Sequence, residues 1–147
     1  MARDAEDASL RFDQQICFPL YSAANAVVRA YRPLLKKLDV TYLQYMVLML
    51  LWEQSQLSVK ALGERLRLDS GTLTPLLKRL ESKGLVERAR SESDERVRII
   101  TITPQGQALK AQARTIPEDL ACTIGLPKAT GQEIKKLCEQ VLVALED

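Results

Sequence analysis

The sequence of 147 residues contains no histidine, and this absence excludes several kinds of functional site at once. Without an imidazole ring there is no Ser-His-Asp or Cys-His catalysis, no histidine-ligated zinc and no histidine pH switch. Cysteine is also scarce, and an odd count of three without paired spacing does not match the disulfide framework of a small secreted protein. We therefore expect a protein of the reducing cytoplasm that is not an enzyme and that holds no cofactor and no metal.

An excess of charge of one sign and a long apolar run are lacking too. Lys and Arg total 21 against 19 Asp and Glu, so the formal net charge of +2 points by itself to no particular partner. The longest apolar run, Tyr45–Trp52, is far shorter than the ~20 residues that cross a bilayer. The acidic, polar start is not typical of a signal peptide. We expect one ordinary domain over 1–147, with no membrane partner.

Apolar periodicity predicts a mainly helical chain, beginning with two helices of different length. The first is expected over about 19–31, and Pro33 should break or kink it. A short second helix follows over 34–38. Thr41 is then the expected N-cap of a central helix over 42–54, which is apolar on nearly every side.

The C-terminal part is predicted to be helical again. A helix from Pro104 to about residue 115 should end at Pro117, and Thr130–Glu133 has the pattern of a capping box before a last apolar stripe. The terminal helices carry more apolar surface than a small domain can bury. Because large exposed apolar patches are rare on monomers, we expect 1–38 and 104–147 to form a homodimer.

Residues 39–103 have the element order of a winged helix-turn-helix. Ser58 should cap a short helix to Arg67, and a second helix should run from Ser70 to about Lys83. Two β-prone stretches, 85–90 and 97–103, flank a polar tip and predict a hairpin. The expected fold is therefore mainly α with a small β-hairpin wing, a winged helix-turn-helix with N- and C-terminal dimerisation helices.

The second helix and the hairpin tip suit double-stranded DNA. Away from its leucines the helix is small at its beginning and basic later, as a helix entering the major groove requires. Arg96 suits a narrow minor groove, and Asp94 would hold its guanidinium by a charge-assisted bond. A solvated helix face is the alternative for each single cation. The residues expected to contact operator DNA are Ser70, Thr72, Thr74, Pro75, Lys78, Arg79, Arg88, Asp94 and Arg96.

This segment resembles the MarR transcription regulators at LVERARSESDERVRIITITPQG. The family's D-x-R tip is matched by Asp94–Arg96, and its L/I-T-x-x-G pattern after the second strand is matched by Ile102–Gly106. The preceding GERLRLDSGTLTPLLKRLESKGLVER is similar to the family's recognition-helix segment. The resemblance covers essentially the whole chain. It implies a two-fold homodimer on a pseudo-palindromic operator, usually acting as a repressor.

The three cysteines differ in their predicted surroundings. Cys17 lies just before the first helix, where backbone N–H groups favour the thiolate, the form that attacks peroxides. Cys122 lies in a loop-like stretch, and Cys138 on the apolar stripe of the last helix, where inert packing is expected. Phenol groups can donate hydrogen bonds to a thiolate. The tyrosines considered are Tyr21, Tyr31 and Tyr42, for which plain packing is the alternative.

The N-terminal part, QQICFPLYSAANAVVRAYRPLL followed by DVTYLQYMVLMLLWE, resembles the organic-hydroperoxide-responsive branch of MarR proteins, the OhrR group. In that branch a cysteine just before the first helix reacts with the peroxide and two tyrosines hydrogen-bond it. By position these are Cys17, Tyr31 and Tyr42. The two-cysteine subtype adds a resolving cysteine from the other subunit, in the loop before the last helix, and Cys122 matches it.

The resemblance thus implies a repressor with organic hydroperoxide as its effector, released from DNA when Cys17 forms an intersubunit disulfide with Cys122. Three alternatives stay open from the sequence. One is a MarR repressor released by a small aromatic ligand, with structural cysteines. The second is a cysteine thiol peroxidase, against which the missing histidine argues. The third is a winged helix that contacts only proteins.

Overall fold

A computed structural model describes residues 7–146, and this part of the chain is mainly helical. Its α-helices are α1 Cys17–Leu35, α2 Tyr42–Gln54, α3 Val59–Leu66, α4 Ser70–Ser82, α5 Pro104–Ala113, α6 Ile116–Ile124 and α7 Lys128–Ala144. Its strands are β1 Gln56–Ser58, β2 Val86–Arg90 and β3 Arg98–Ile102, which form an antiparallel sheet in the order β1-β3-β2. Short 3₁₀ turns lie at Ala8–Leu10, Phe12–Gln14 and Lys36–Leu38. The predicted winged helix-turn-helix is confirmed.

The core forms around α2, and the prediction of its N-cap is confirmed. The Thr41 hydroxyl accepts the Gln44 backbone N–H at 3.4 Å, while the Gln44 side-chain oxygen accepts the Thr41 N–H at 3.0 Å. This reciprocal capping box satisfies two N–H groups that the helix leaves free. Val47, Leu48 and Leu51 are fully buried, which explains why α2 is apolar on nearly all sides.

The helix-turn-helix is set by two local caps and a row of leucines. Ser58 accepts the Ala61 N–H at 3.0 Å to begin α3, as predicted, and Asp69 accepts the Thr72 N–H at 2.8 Å to begin α4. The α4 leucines facing the core are Leu73, Leu76, Leu77 and Leu80. Burying each contributes roughly 1.5–3 kcal/mol relative to leaving it exposed. This burial fixes which side of α4 remains on the surface.

The sequence predicted that a helix would break at each of two prolines, and neither proline ends a helix in the structure. Pro33 lies inside α1, which continues to Leu35. Near a helix end a proline removes little beyond one backbone hydrogen bond, and burial of Leu35 and Leu38 holds this segment in place. The expected second helix over 34–38 is therefore the last turn of α1 followed by a 3₁₀ turn. Pro117 is the second residue of α6, in the first turn, where its missing N–H costs nothing.

The predictions for the segment after Pro117 were also wrong. Cys122 lies in helix α6 rather than in a loop. Helix α7 begins at Lys128 after Pro127, so Thr130–Glu133 lies inside the helix and does not cap it. The turn at Gly125, with φ of 70°, is what separates α6 from α7. A left-handed glycine ends a helix without steric cost, and this signal outweighed the capping pattern.

The terminal helices leave apolar side chains uncovered in the single chain. No described residue of α7 is buried, and Leu137 is 53% exposed. The other exposed apolar residues of α7 and its end are Ile134, Val141, Leu142, Val143 and Leu145. Near the N-terminus they are Leu10, Phe12, Ile16, Phe18 and Leu20. Within residues 7–146, none of the helices combines the length and the apolar character needed to cross a bilayer.

Candidate DNA interface and redox site

The exposed side of α4 carries the residues that the sequence pattern singled out. Thr72, Pro75, Lys78 and Arg79 are exposed, Ser70 is exposed at the helix start, and Thr74 is half-buried. No ion pair engages Lys78 or Arg79 among the described residues. The helix thus presents small side chains at its N-terminus and two available cations one to two turns later. This arrangement suits approach to base edges with cations meeting phosphates.

The hairpin tip is shaped by Asp94, though not through the contact expected from the sequence. Its carboxylate accepts the backbone N–H of Arg96 at 3.0 Å, and its carbonyl accepts the Val97 N–H at 3.0 Å. The predicted bond to the Arg96 guanidinium is absent among the described contacts. A backbone N–H two residues ahead is within easier reach of a short Asp side chain. Asp94 therefore fixes the turn, and the Arg96 side chain stays exposed.

Arg88 is tied to the recognition helix by a residue that the sequence reasoning missed. Its Nε donates to the Glu81 carboxylate at 3.2 Å, and its backbone N–H donates to the other oxygen at 3.2 Å. Both side chains are about one-third exposed, at 31% for Arg88 and 39% for Glu81. The pair links the base of the wing to α4. The two residues are seven positions apart, with Glu81 in α4 and Arg88 in β2. Because they lie on different elements, the periodicity of one helix or strand does not predict the contact.

The Ile102–Gly106 pattern, which follows the second strand of the hairpin, β3, has a structural reason. The Thr103 hydroxyl accepts the Gly106 N–H at 3.0 Å and donates to the Gly84 carbonyl at 2.6 Å. A Cβ on Gly106 would lie 2.2 Å from the Leu85 carbonyl oxygen, so only glycine fits there. Trp52 Nε1–H donates to the Gly106 carbonyl at 3.0 Å. These contacts join the wing, α5 and α2 at one point.

The cysteines are all free thiols and differ in exposure. Cys17 is exposed as the first residue of α1, where no side chain caps the first turn. Cys122 is exposed in α6, and Cys138 is half-buried in α7. The predicted position of Cys17 beside the start of the first helix is confirmed. Its thiol is accessible to a hydroperoxide in the single chain.

Tyr31 and Tyr42 lie together, although far from Cys17 of the same chain. Their ring centroids are 4.8 Å apart, and Tyr45 lies 5.9 Å from Tyr31. Burial, followed by the neighbouring Tyr42 and Tyr45, raises the pKa of Tyr31 to about 12, so its O–H remains a donor at neutral pH. Tyr31 and Cys17 lie on one helix, about 21 Å apart at 1.5 Å per residue. A single chain does not bring them together.

A cleft of about 960 Å³, not anticipated from the sequence, separates α1 from α4. Its lining combines apolar residues with cations from both helices and from the segment between α1 and α2. Lys83 donates to the Asp39 carbonyl and lies 3.6 Å from the Asp39 carboxylate. Thr72, Pro75 and Arg79 of α4 also line the cleft. Its size lies in the range of ligand pockets.

A family model of the transcriptional regulators SarA/Rot matches residues 29–113. The organic hydroperoxide resistance transcriptional regulator of Bacillus subtilis (strain 168) is 46% identical over 137 residues, which cover 93% of this chain and 91% of that protein. Both matches extend across the helix-turn-helix and the wing.

Among solved structures, reduced AbfR bound to DNA is 35% identical with a TM-score of 0.77, covering 97% of this chain and 99% of the other. Disulfide-formed AbfR is 33% identical with a TM-score of 0.64, covering 95% and 98%. AbfR is a protein of Staphylococcus epidermidis. A mutant of MarR from E. coli, complexed with operator DNA, is 27% identical with a TM-score of 0.77, covering 86% and 93%. The chain thus matches the DNA-bound reduced form of AbfR more closely than its disulfide form.

Proposed function

Because the chain belongs to the MarR family of winged-helix transcription regulators, in the branch of the organic hydroperoxide resistance regulator, we propose that it is a peroxide-released repressor. When reduced, a homodimer binds a pseudo-palindromic operator through two copies of α4 and two wings. Oxidation of Cys17 by an organic hydroperoxide releases the DNA. One observation carries the proposal: the exposed Cys17 begins α1, and the other end of α1 packs through Tyr31 on α2 of the DNA-binding lobe.

The homodimer is supported by the uncovered apolar residues of α1 and α7. Single exposed apolar residues are ordinary, but a contiguous set along a helix marks an interaction surface. In the proposed division, 1–38 and 104–147 form the dimer and 39–103 reads DNA. Since Cys17 lies about 21 Å from Tyr31 along α1, Tyr31 and Tyr42 can donate to its thiolate only from the second subunit. The proposed sensor is therefore shared between subunits.

The proposed chemistry has two steps. The Cys17 thiolate attacks the outer oxygen of the hydroperoxide, the O–O bond breaks, and an alkoxide leaves and takes up a proton as the alcohol. Cys17 is then a sulfenic acid. The Cys122 thiolate of the second subunit attacks its sulfur, forming the disulfide and releasing hydroxide, which becomes water. A thiol reductant reduces the disulfide by exchange, which returns Cys17 and Cys122 to thiols, leaves the reductant as a disulfide and restores DNA binding.

Because Cys122 lies in α6, we expect formation of the disulfide to require a movement. A disulfide requires Cα atoms within about 7 Å, and α6 packs against α1 rather than lying as a free loop. We expect closing the bond to displace the start of α1 or part of α6, because each cysteine belongs to a helix. A hundredfold loss of operator affinity corresponds to ~2.7 kcal/mol, which lies within the 2–4 kcal/mol that a disulfide commonly contributes. The displacement need only change the spacing of the two recognition helices.

The decisive experiment is binding of the neighbouring promoter DNA, measured by fluorescence anisotropy, before and after cumene hydroperoxide and then after reductant. The wild-type protein is expected to lose at least a hundredfold in affinity and to regain it. Cys17→Ser should bind normally and stay bound with peroxide. Continued release of Cys17→Ser would refute the sensor assignment.

The resolving cysteine is tested with a matched pair of variants. Cys122→Ser should abolish the intersubunit crosslink on a non-reducing gel, because it removes the attacking thiol. Cys138→Ser removes a thiol from the neighbouring helix α7 and should leave the crosslink intact. A crosslink that survives in Cys122→Ser and disappears in Cys138→Ser would assign the role to Cys138 instead.

A second candidate function rests on the cleft. Apolar side chains on its walls and cations from α1 and α4 suit a small aromatic carboxylate. Such a ligand would contact Thr72, Pro75 and Arg79 and so compete with DNA for the recognition helix. Release of Cys17→Ser from DNA by a phenolic acid would favour this regulation. The relatives are transcription regulators, which gives the thiol peroxidase alternative no support.

A further inference from the structure

Two arginines that the sequence reasoning did not use lie directly opposite each other on the wing. The register pairs Arg90 of β2 with Arg98 of β3, at the end of the hairpin ladder that leads to the tip. Both residues are exposed. Directly opposed side chains in an antiparallel pair have Cβ atoms about 4.5–5.5 Å apart. The two guanidinium groups therefore share one small area of surface.

The side of the hairpin that carries this pair follows from the register. Side chains alternate between the two faces of a strand, so Arg90 and Arg98 share a face with Val86 and Ile100. Val86 and Ile100 are buried in the core. Going outward, this face is first apolar, then cationic at the arginine pair. The arginine pair continues the face of the wing that is directed toward the body of the lobe.

Arg88 shows what stands beside this face. It lies on the same face as Arg90, two residues closer to the core, and its guanidinium bonds Glu81 near the end of α4. The face therefore borders the recognition helix. Arg90 and Arg98 lie further out along this face, between the Arg88 contact and the hairpin tip.

The pair has no acidic partner in the described part of the chain. No ion pair engages Arg90 or Arg98 among residues 7–146. The carboxylate of Asp94, at the hairpin tip, accepts the backbone N–H of Arg96 instead of pairing with either arginine. Like charges placed directly opposite across a sheet destabilise it. An anion bound between the two guanidinium groups would remove this repulsion.

We propose that Arg90 and Arg98 together hold one DNA phosphate, on the strand that separates the major groove read by α4 from the minor groove reached by Arg96. The inference rests on the proposed DNA binding. With α4 in one groove and the tip in the next, the sugar-phosphate strand between them crosses the face of the wing that carries this pair. Guanidinium groups match the geometry of phosphate oxygens and bind them by charge-assisted hydrogen bonds.

The test is the double variant R90Q/R98Q, reduced, titrated by anisotropy at several salt concentrations with operator DNA and with a scrambled duplex. At physiological salt we expect about a tenfold or greater loss of affinity, equal for both duplexes, because a phosphate contact carries no sequence information. The log–log salt slope should become less negative by about 2 per dimer, since each protomer loses one phosphate at about 0.9 each. The melting temperature of the free protein should stay level or rise.

The matched control is K110Q/R114Q, which removes two exposed positive charges at the C-terminal end of α5 and should leave the slope unchanged. Three results for R90Q/R98Q would overturn the proposed phosphate contact. They are an unchanged salt slope, a loss of affinity confined to the operator duplex, and a fall of several degrees in melting temperature. The first two exclude a phosphate contact, and the last makes the pair structural. If the wild-type protein binds DNA and peroxide releases it, such results refute only the phosphate contact of Arg90 and Arg98. A wild-type protein that binds neither duplex refutes both the phosphate contact and the proposed function.

Discussion

The DNA-reading lobe and the terminal helices of this chain differ in how much of their structure one copy can complete. In the lobe, Leu73 and Leu77 are each 1% exposed, and the caps of α3 and α4 are made by neighbours in the chain. In α7, Leu137 is 53% exposed, and no residue of that helix is buried. The first region buries its apolar side chains within one chain, whereas the second leaves apolar surface that the proposed homodimer would cover.

The same contrast separates the two functional sites. The exposed surface of the lobe in one chain already carries the residues proposed to contact DNA, among them Thr72, Lys78, Arg79 and Arg96. Cys17 and Tyr31 lie at opposite parts of α1, so the proposed sensor would be incomplete in one chain. Under the proposed function, a chemical change at the subunit boundary would alter the distance between two DNA-binding lobes.

The largest expected effect compares one substitution in the two regions. Leu77→Ala leaves a cavity in the core of the lobe and should lower the free energy of unfolding by about 2–5 kcal/mol. Leu137→Ala should cost little within a chain and instead weaken the dimer, making the melting temperature more dependent on protein concentration. Urea unfolding and sedimentation measure both. An equal loss for Leu137→Ala in a protein that sediments as a monomer would show that α7 packs within its own chain.

Gly106→Ala tests the junction where the two regions meet. The added Cβ would collide with the Leu85 carbonyl oxygen, so we expect a loss of about 2–3 kcal/mol in unfolding free energy. The emission of Trp52, which donates to the Gly106 carbonyl, should shift as that hydrogen bond is disturbed. Gly131→Ala is the control, since nothing lies within 4 Å of its Cβ position. Equal stability of the two variants would argue against the close approach.

Arg96→Ala sharpens the DNA-reading side of the comparison. If the exposed side chain contacts a groove, operator affinity should fall by roughly 1–3 kcal/mol while the melting temperature is unchanged. Arg11→Ala removes an arginine far along the chain, outside the lobe, and provides the charge control. Anisotropy with operator DNA is the measurement. Unchanged affinity would exclude the tip from the interface.

A mixed dimer tests whether the sensor is shared between subunits. Tyr31→Phe removes the phenol donor and should slow oxidation of Cys17 about threefold to tenfold, equivalent to one hydrogen bond. Pairing a Cys17→Ser chain with a Tyr31→Phe chain places the remaining Cys17 opposite the remaining Tyr31. Stopped-flow oxidation of this heterodimer should recover the wild-type rate. A rate like that of the Tyr31→Phe homodimer would place the donor in the same chain.

The smallest effect is expected at high pH and comes from the tyrosine cluster. The pKa of Tyr31 is about 12 in the folded chain, against 10.0 for an unperturbed tyrosine, so the native state holds its proton more tightly. The stability from this group is fully present below pH 10 and falls as the pH rises from 10 to 12. Phenolate absorbance should show titration delayed relative to unfolded protein, and less delayed in Tyr31→Phe. Superimposable curves would contradict burial of Tyr31.

Local signals in the sequence predicted local structure well. Thr41 and Ser58 cap the helices that they were expected to cap, and the leucines of α4 face the core, because caps and apolar spacing act within a few residues. The prolines at 33 and 117 were misjudged for the opposite reason. A proline tolerates more than one position in a helix, and the packing of its surroundings decides between them.

The sites show the same division. The types and order of the DNA-facing residues, and the placement of Cys17 at the start of a helix, follow from the sequence because each depends on spacing along one element. The bond from Glu81 to Arg88, the cleft between α1 and α4, and the distance from Cys17 to Tyr31 depend on how elements pack. Contacts between distant parts of a chain are set by the sum of many burial energies, and no short pattern of residues encodes that sum.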